Sequence, residues 1–230
     1  MSIAAIQPFS TVDFPGTIAC VVFTRGCNLN CFYCHNRELI SGAGETLETD
    51  DALDFLKKRA GLLEGVVVTG GEPALWDGLE QFLSGARALG YKTKLDTNGQ
   101  LPERVKAILQ KRLADYTALD VKAPAEDCEN VCGDALAFDR AAETAELLAA
   151  SGVDYELRTT LYPGMTLDKL KGLLARFPAA PLWRLNSYRR PEVFDPRDEA
   201  KLLPAALTAP ELAAALTELK KIQPNVIIPE

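Results

Sequence analysis

Histidine is nearly absent from this 230-residue chain, with one copy, His35. That scarcity argues against a zinc site, which wants four ligands, usually in separated pairs. His35 also adjoins Cys34, so it would have to fold back sharply to share a metal with it. Cysteine is sparse too, at six residues, too few in a chain this long for a disulfide scaffold. No apolar run approaches the roughly 20 residues needed to cross a bilayer. The N-terminus has no basic region followed by a long apolar stretch, so no signal peptide is expected. A cytoplasmic location and reduced cysteines follow as the default expectation. Positive charge is also in deficit. The net charge of -7 argues against nucleic acid as a partner, because phosphate binding wants a basic surface. What remains is an ordinary globular composition, 47% hydrophobic, with no internal repeat and no linker, and a length that suits one domain over residues 1–230.

Three of the six cysteines stand together. Cys27, Cys31 and Cys34 lie in the run Arg25-Gly26-Cys27-Asn28-Leu29-Asn30-Cys31-Phe32-Tyr33-Cys34-His35-Asn36, just after an apolar segment that reads as a strand. Three thiolates on one short loop can hold three irons of a cubane cluster and leave the fourth open to a substrate, whereas an electron-carrying cluster is usually closed by a fourth cysteine. The x3-then-x2 spacing, with an aromatic residue before the last cysteine, resembles the radical S-adenosylmethionine (radical SAM) superfamily. Cys20 lies inside the strand and reads as a small buried hydrophobe. Cys128 and Cys132 fall in an expected loop and read as incidental thiols, since a cluster needs more than two ligands.

Short apolar runs alternate with helical patterns. Strands are expected at 18–24, 65–69, 92–96, 116–121, 155–161 and 182–186, and helices at 50–63, 75–89, 102–112, 138–150, 167–176 and 209–222. Thr49 or Asp50 is the expected cap of the first helix and Thr166 of the fifth. Gly90 and Gly152 follow the second and fourth helices as stop signals. Such alternation demands parallel strands with right-handed crossovers. The expected fold is α/β, an open partial (β/α)6 barrel of parallel strands. The tail, 223–230, is expected to be peripheral.

In parallel α/β folds the ligand lies beyond the carboxyl ends of the strands. There the sequence gathers polar residues: the cysteine loop; Thr69 with Gly70, Gly71, Glu72 and Pro73; Asp96, Thr97, Asn98 and Gly99; Asp120 with Lys122; Arg158 with Thr160; and Asn186. These types suit S-adenosylmethionine (SAM). Gly70 and Gly71 let backbone approach a ligand closely. Glu72 can accept from an ammonium group. Lys122 or Arg158 can face a carboxylate. Asp96 and Asp120 can bond ribose hydroxyls or share a hard cation with the ligand. Tyr33 offers aromatic surface and backbone near the adenine.

The segment Gln7-Pro8-Phe9-Ser10-Thr11-Val12-Asp13-Phe14-Pro15-Gly16, joined to the cysteine run, resembles the activating proteins of glycyl-radical enzymes, and most of all the activating protein of anaerobic ribonucleoside-triphosphate reductase. The resemblance covers nearly the whole chain. It implies one [4Fe-4S] cluster on Cys27, Cys31 and Cys34. It implies SAM held by Tyr33, Gly70, Gly71, Glu72, Pro73, Asp96, Thr97, Asn98, Asp120, Lys122 and Arg158, with a monovalent cation beside it. The implied partners are a glycyl-radical enzyme, taken as the anaerobic ribonucleotide reductase, and a flavodoxin- or ferredoxin-type electron donor. The implied reaction is reductive SAM cleavage, followed by hydrogen-atom removal from a backbone glycine. The ferredoxin-like insert of some such activases is absent here, because no cysteine lies between Cys34 and Gly65. A radical SAM enzyme acting on a small biosynthetic substrate shares every feature except residues 10–16. Anaerobic reconstitution should give about four irons per chain. Replacing Cys27, Cys31 or Cys34 by Ala should abolish that iron; replacing Cys20, Cys128 or Cys132 should leave it.

Overall fold

A computed structural model describes residues 2–41 and 43–229. Among the described residues eight strands form one sheet in chain order: β1 (Ile3–Ser10), β2 (Ala19–Thr24), β3 (Gly65–Gly70), β4 (Lys92–Thr97), β5 (Tyr116–Asp120), β6 (Asp154–Leu161), β7 (Trp183–Ser187) and β8 (Val226–Ile227). β1 runs antiparallel to β2 and every later pair is parallel. β1 and β8 do not pair, so the sheet is open. The helices are α1 (Arg37–Ile40), α2 (Thr49–Lys58), α3 (Leu79–Ala88), α4 (Pro102–Gln110), α5 (Cys128–Cys132), α6 (Ala137–Ser151), α7 (Leu167–Leu174) and α8 (Ala209–Ile222). All but α1 and α5 serve as the crossovers that parallel strands require.

The central strands are apolar on both faces because both are covered. Cys20, Val22, Val66 and Val68 pack with Leu56, Phe82 and Leu83 from α2 and α3. Val21 and Val67 point the other way, against Phe14. The C-terminal half centres on Trp183, with Phe177 edge-on to it and Phe138 edge-on to Phe177, each pair at 5.4 Å between centroids.

Several local expectations are corrected. β1 reads poorly as a strand because half of its residues are exposed, and Pro8 interrupts it at an edge where no donor is needed. The tail is not peripheral. Its β8 pairs with β7, and Gln223 is buried beneath it, donating to the carbonyls of Leu174, Phe177 and Pro178 and accepting from the Ala180 amide. Glu48, not Thr49 or Asp50, caps α2, in a reciprocal box with Asp51. α3 begins at Leu79 because Pro73–Leu75 forms a separate 3-10 turn capped by Glu72. Cys128 and Cys132 lie on one helical turn closed by Gly133 at φ 76°, not in a loop. Thr166 caps α7 as expected, accepting from the Lys169 amide.

Gln223→Ala would strand three buried carbonyls and one amide. It should lower stability by about 1–3 kcal/mol, read as a shift of the urea midpoint with an unchanged slope.

Candidate active site

A cavity of about 380 Å³ opens at the carboxyl ends of the strands. Cys27, Cys31, Tyr33 and Cys34 line it from the loop after β2, Gly70 and Gly71 from β3, and Asp96, Thr97 and Asn98 from β4. Asp120 and Lys122 line it from β5, Arg158 and Thr160 from β6, and Asn186 from β7. Of the residues expected at the site, Glu72, Pro73 and Gly99 are off this wall.

The cysteine loop is held from three sides. On one side the chain after β3 presses against it. The Gly71 amide donates to Thr24 O (2.9 Å) and the Glu72 amide to Gly26 O (2.8 Å). A Cβ on Gly71 would stand 2.1 Å from Gly26 O, and Gly70 takes φ +115°, so glycine at these positions serves the seat of the loop as well as any ligand. On the second side α5 presents its carbonyls, with the Asn30 amide donating to Cys132 O (2.8 Å) and the Phe32 amide to Val131 O (3.1 Å). Val131 and Cys132 thus frame the loop through their carbonyls, and Cys128 O in turn accepts from the Cys132 thiol. On the third side the Arg37 guanidinium donates to Cys31 O (3.3 Å) while paired with Asp195 (3.4 Å).

The three thiols suit a cluster. Among the described residues no three His, Cys, Asp or Glu side chains converge as ligands of a single metal ion must. A cubane asks instead that each thiolate reach a different iron, and three thiols spread along one cavity wall meet that demand. Two amides already point at the Cys27 sulfur, from Leu29 N (3.5 Å) and Asn98 Nδ2 (3.7 Å). Burial pushes the Cys27 thiol up to about 12 and raises Cys34. The Cys132 thiol and then burial raise Cys31. Iron binding must therefore expel protons from these sulfurs.

Glu72 corrects an expectation. Its carboxylate does not face the cavity, because it is 1% exposed and every oxygen is engaged. Oε1 accepts from the Ala74 amide (2.9 Å) and the Thr97 hydroxyl (2.7 Å), and Oε2 from the Asn98 amide (2.6 Å). It ties the end of β3 to the end of β4 and leaves the backbone of Gly70 and Gly71 to meet a ligand. Burial pushes its carboxyl up to about 7, against the pull of the Asn98 and Ala74 amides, the Thr97 hydroxyl and Lys122.

Beside it runs an alternating row of charges. Lys94 Nζ stands 2.8 Å from Asp96 Oδ1, and Arg158 reaches Asp96 Oδ2 (3.2 Å) and Asp120 Oδ1 (2.8 Å). Lys122 Nζ closes the row at Asp120 Oδ2 (3.0 Å). Burial opposes the charge on Asp120, but Arg158 and then Lys122 outweigh it and hold the carboxyl well below the usual range. Burial likewise works against Arg158 and Lys122, and their carboxylate neighbours keep both firmly protonated. Among the described residues the Asp96 Oδ1 oxygen is buried without a hydrogen-bond partner, the one acceptor in this row left for a cation or ligand group. Asp96 Oδ2 and both oxygens of Asp120 accept hydrogen bonds from Arg158 and Lys122, and the Thr97 hydroxyl donates to Glu72 and accepts from the Gly99 amide. Tyr33 lines the cavity but is largely covered, stacked on Tyr162 at 6.1 Å.

Residues 21–177 match the Radical SAM superfamily. The chain belongs to that superfamily. This radical SAM protein is 29% identical, over 88% of its own length and 85% of the other, to a protein of Methanocaldococcus jannaschii provisionally named a glycyl-radical enzyme activating enzyme. It is also 29% identical to the pyruvate formate-lyase 1-activating enzyme of Escherichia coli K12, over 72% of this chain and 70% of that one. Among solved structures, Streptococcus suis SuiB bound to S-adenosylmethionine superposes with a TM-score of 0.71 at 16% identity, which speaks for the fold. The match covers 91% of this chain and 50% of SuiB, so the radical SAM chain spans about half the length of that protein.

Sequence reasoning missed three wall or near-wall residues. Gln7 and Asp13 come with the unrecognised β1 and its exit, and Lys94 hides inside a buried strand. A lysine two residues before Asp96 on the same strand was the available signal, since alternation puts both on one face.

The raised Glu72 carboxyl predicts a pH dependence. The folded state holds this proton more tightly than the unfolded chain does. The stability it contributes is therefore fully present below about 4.5 and is lost as pH rises through about 7. Without iron or SAM, Glu72→Gln should lack this dependence. From pH 5 to pH 8 the wild type should lose on the order of 2–3 kcal/mol relative to the variant, measured by anaerobic urea unfolding. Parallel curves would mean that Glu72 is ionised in the folded protein throughout.

Proposed function

We propose that this radical SAM protein activates a glycyl-radical enzyme, and that its partner is an anaerobic ribonucleoside-triphosphate reductase. The observation that carries the reading is the composition of one wall. Three thiols with amides aimed at sulfur, a Gly-Gly backbone and a charged row share a single cavity. That cavity continues through Phe23, His35 and Asn36 into a groove lined by Arg37, Arg189 and Arg190, which gives an extended polypeptide a path to it. The relatives named as activating enzymes support the reaction class. The likeness of residues 7–16 to the reductase activases supports the partner.

In this reading Cys27, Cys31 and Cys34 hold a [4Fe-4S] cluster. Its chemistry, when loaded, is one-electron reduction of the SAM sulfonium, which breaks a carbon–sulfur bond and leaves a carbon radical able to take hydrogen from glycine. The chain's own residues bind, orient and exclude water. Gly70 and Gly71 present peptide groups to the amino group of SAM, on a backbone fixed by Glu72. Lys122 and Arg158 meet the SAM carboxylate, Asp120 offers its remaining lone pairs to ribose hydroxyls, and Tyr33 borders the adenine. A flavodoxin- or ferredoxin-type protein of the cytoplasm supplies the electron.

The test mixes reduced protein, SAM and the anaerobic reductase of the same organism. Electron paramagnetic resonance should show a doublet, split by the remaining α-hydrogen of the glycine. Changing that glycine to alanine should remove the doublet while SAM cleavage persists. A doublet formed with another glycyl-radical enzyme instead would reassign the partner. No doublet with any such enzyme, with SAM turnover stimulated by a small metabolite, would replace the proposal with a biosynthetic radical SAM enzyme.

A further inference from the structure

The three thiols of the cavity wall are not served alike. Two amides point at the Cys27 sulfur, and the Asn36 amide points at that of Cys34. Among the described residues no amide donates to the sulfur of Cys31. Its neighbour is a fourth thiol, Cys132, buried behind the wall at the end of α5. Backbone holds the two together. The bonds from the Asn30 and Phe32 amides to the Cys132 and Val131 carbonyls flank Cys31 on either side. The two thiols are in hydrogen-bond contact, with Cys31 donating and Cys132 accepting. Cys132 aims its own proton at the Cys128 carbonyl, 3.1 Å away. The result is a short relay from sulfur to sulfur to peptide oxygen.

Iron ligation reverses the first link of that relay. Iron takes the place of the proton on Cys31, so this sulfur can no longer donate and becomes an anionic acceptor. A charged acceptor holds a donor about twice as strongly as a neutral carbonyl does. The Cys132 S–H has only to turn about its Cβ–Sγ bond to change targets. We propose that the Cys132 thiol donates to the Cys31 sulfur in the cluster-loaded protein and raises the reduction potential of the cluster. This rests on the reading of Cys27, Cys31 and Cys34 as cluster ligands. A hydrogen bond draws negative charge from a ligand sulfur, and the reduced cluster carries one more electron than the oxidised one, so the bond favours reduction. Backbone amides serve Cys27 and Cys34 in this way, and a side chain serves Cys31. Cys132 acts through a ligand and not on the reacting atoms, so it is a positioning residue. Its thiol can be changed while the carbonyl that frames the loop stays in place.

The experiment is an anaerobic redox titration of the cluster-loaded protein with photoreduced deazaflavin, read by electron paramagnetic resonance of the reduced cluster. Cys132→Val fills the space without a proton to donate. It should shift the one-electron equilibrium at least threefold toward the oxidised form, about 28 mV downward at 59 mV per tenfold. Cys132→Ser keeps a donor and should recover at least half of that shift. Cys128→Ala removes the other buried thiol of the same turn and should leave the equilibrium within 1.5-fold of the wild type. An unmoved Cys132→Val overturns the inference. So does a serine variant that shifts as far as valine. An equal shift in Cys128→Ala would mark a packing effect and overturns it too. If Cys132→Val takes up no iron, Cys132→Ala decides in its place. Loss of iron from both would make Cys132 a structural support and overturn the tuning role. Wild-type protein that takes up no iron, or iron retained by Cys31→Ala, would instead remove the cluster reading, and this inference with it.

Discussion

The site depends on one buried carboxylate. Parallel strands end side by side but nothing in the ladder fixes how their exits turn, because the hydrogen bonds stop where the strands do. Glu72 supplies what the ladder lacks. It accepts from its own turn at Ala74 and from the next strand's exit at Thr97 and Asn98. Asn98 in turn donates to Asn28 and toward Cys27, so the bracket reaches the cysteine loop. Removing any one partner would leave polar groups buried and unmatched, which is costlier than never having placed them there.

Around that bracket the site is assembled by close backbone contact. Gly71 lies against Gly26 with no room for a side chain, and α5 offers its last carbonyls to the loop amides. The loop that carries the thiols is thus specified by residues that do not touch iron. Its rigidity comes from peptide groups, which are indifferent to oxidation state and to whether the thiols are protonated.

Much of this was legible in the sequence, for a physical reason. Runs such as Val66-Val67-Val68 can only be strands covered on both faces, and the polar residues after them had to share one end of the sheet. The cysteine spacing carried its chemistry by itself. What stayed hidden was direction. Glu72 reads as a ligand because a sequence shows a carboxylate and not the amides it turns toward. The burial of Lys94 leaves no trace in the sequence because lysine is usually solvated. β1 lies at an exposed edge and β8 is two residues long, so neither leaves a periodic trace.

The contact of Lys94 with both Asp13 and Asp96 has a thermodynamic consequence. One ammonium is shared between the N-terminal segment and the ligand wall. Order in either is then felt in the other, and by linkage the effect is equal in both directions. A molecule that clamps residues 10–16 tightens the grip on Asp96, and a ligand that fills the cavity stiffens residues 10–16. The N-terminal segment and a buried charge beside the site are thus joined through one side chain, although more than eighty residues of sequence separate them.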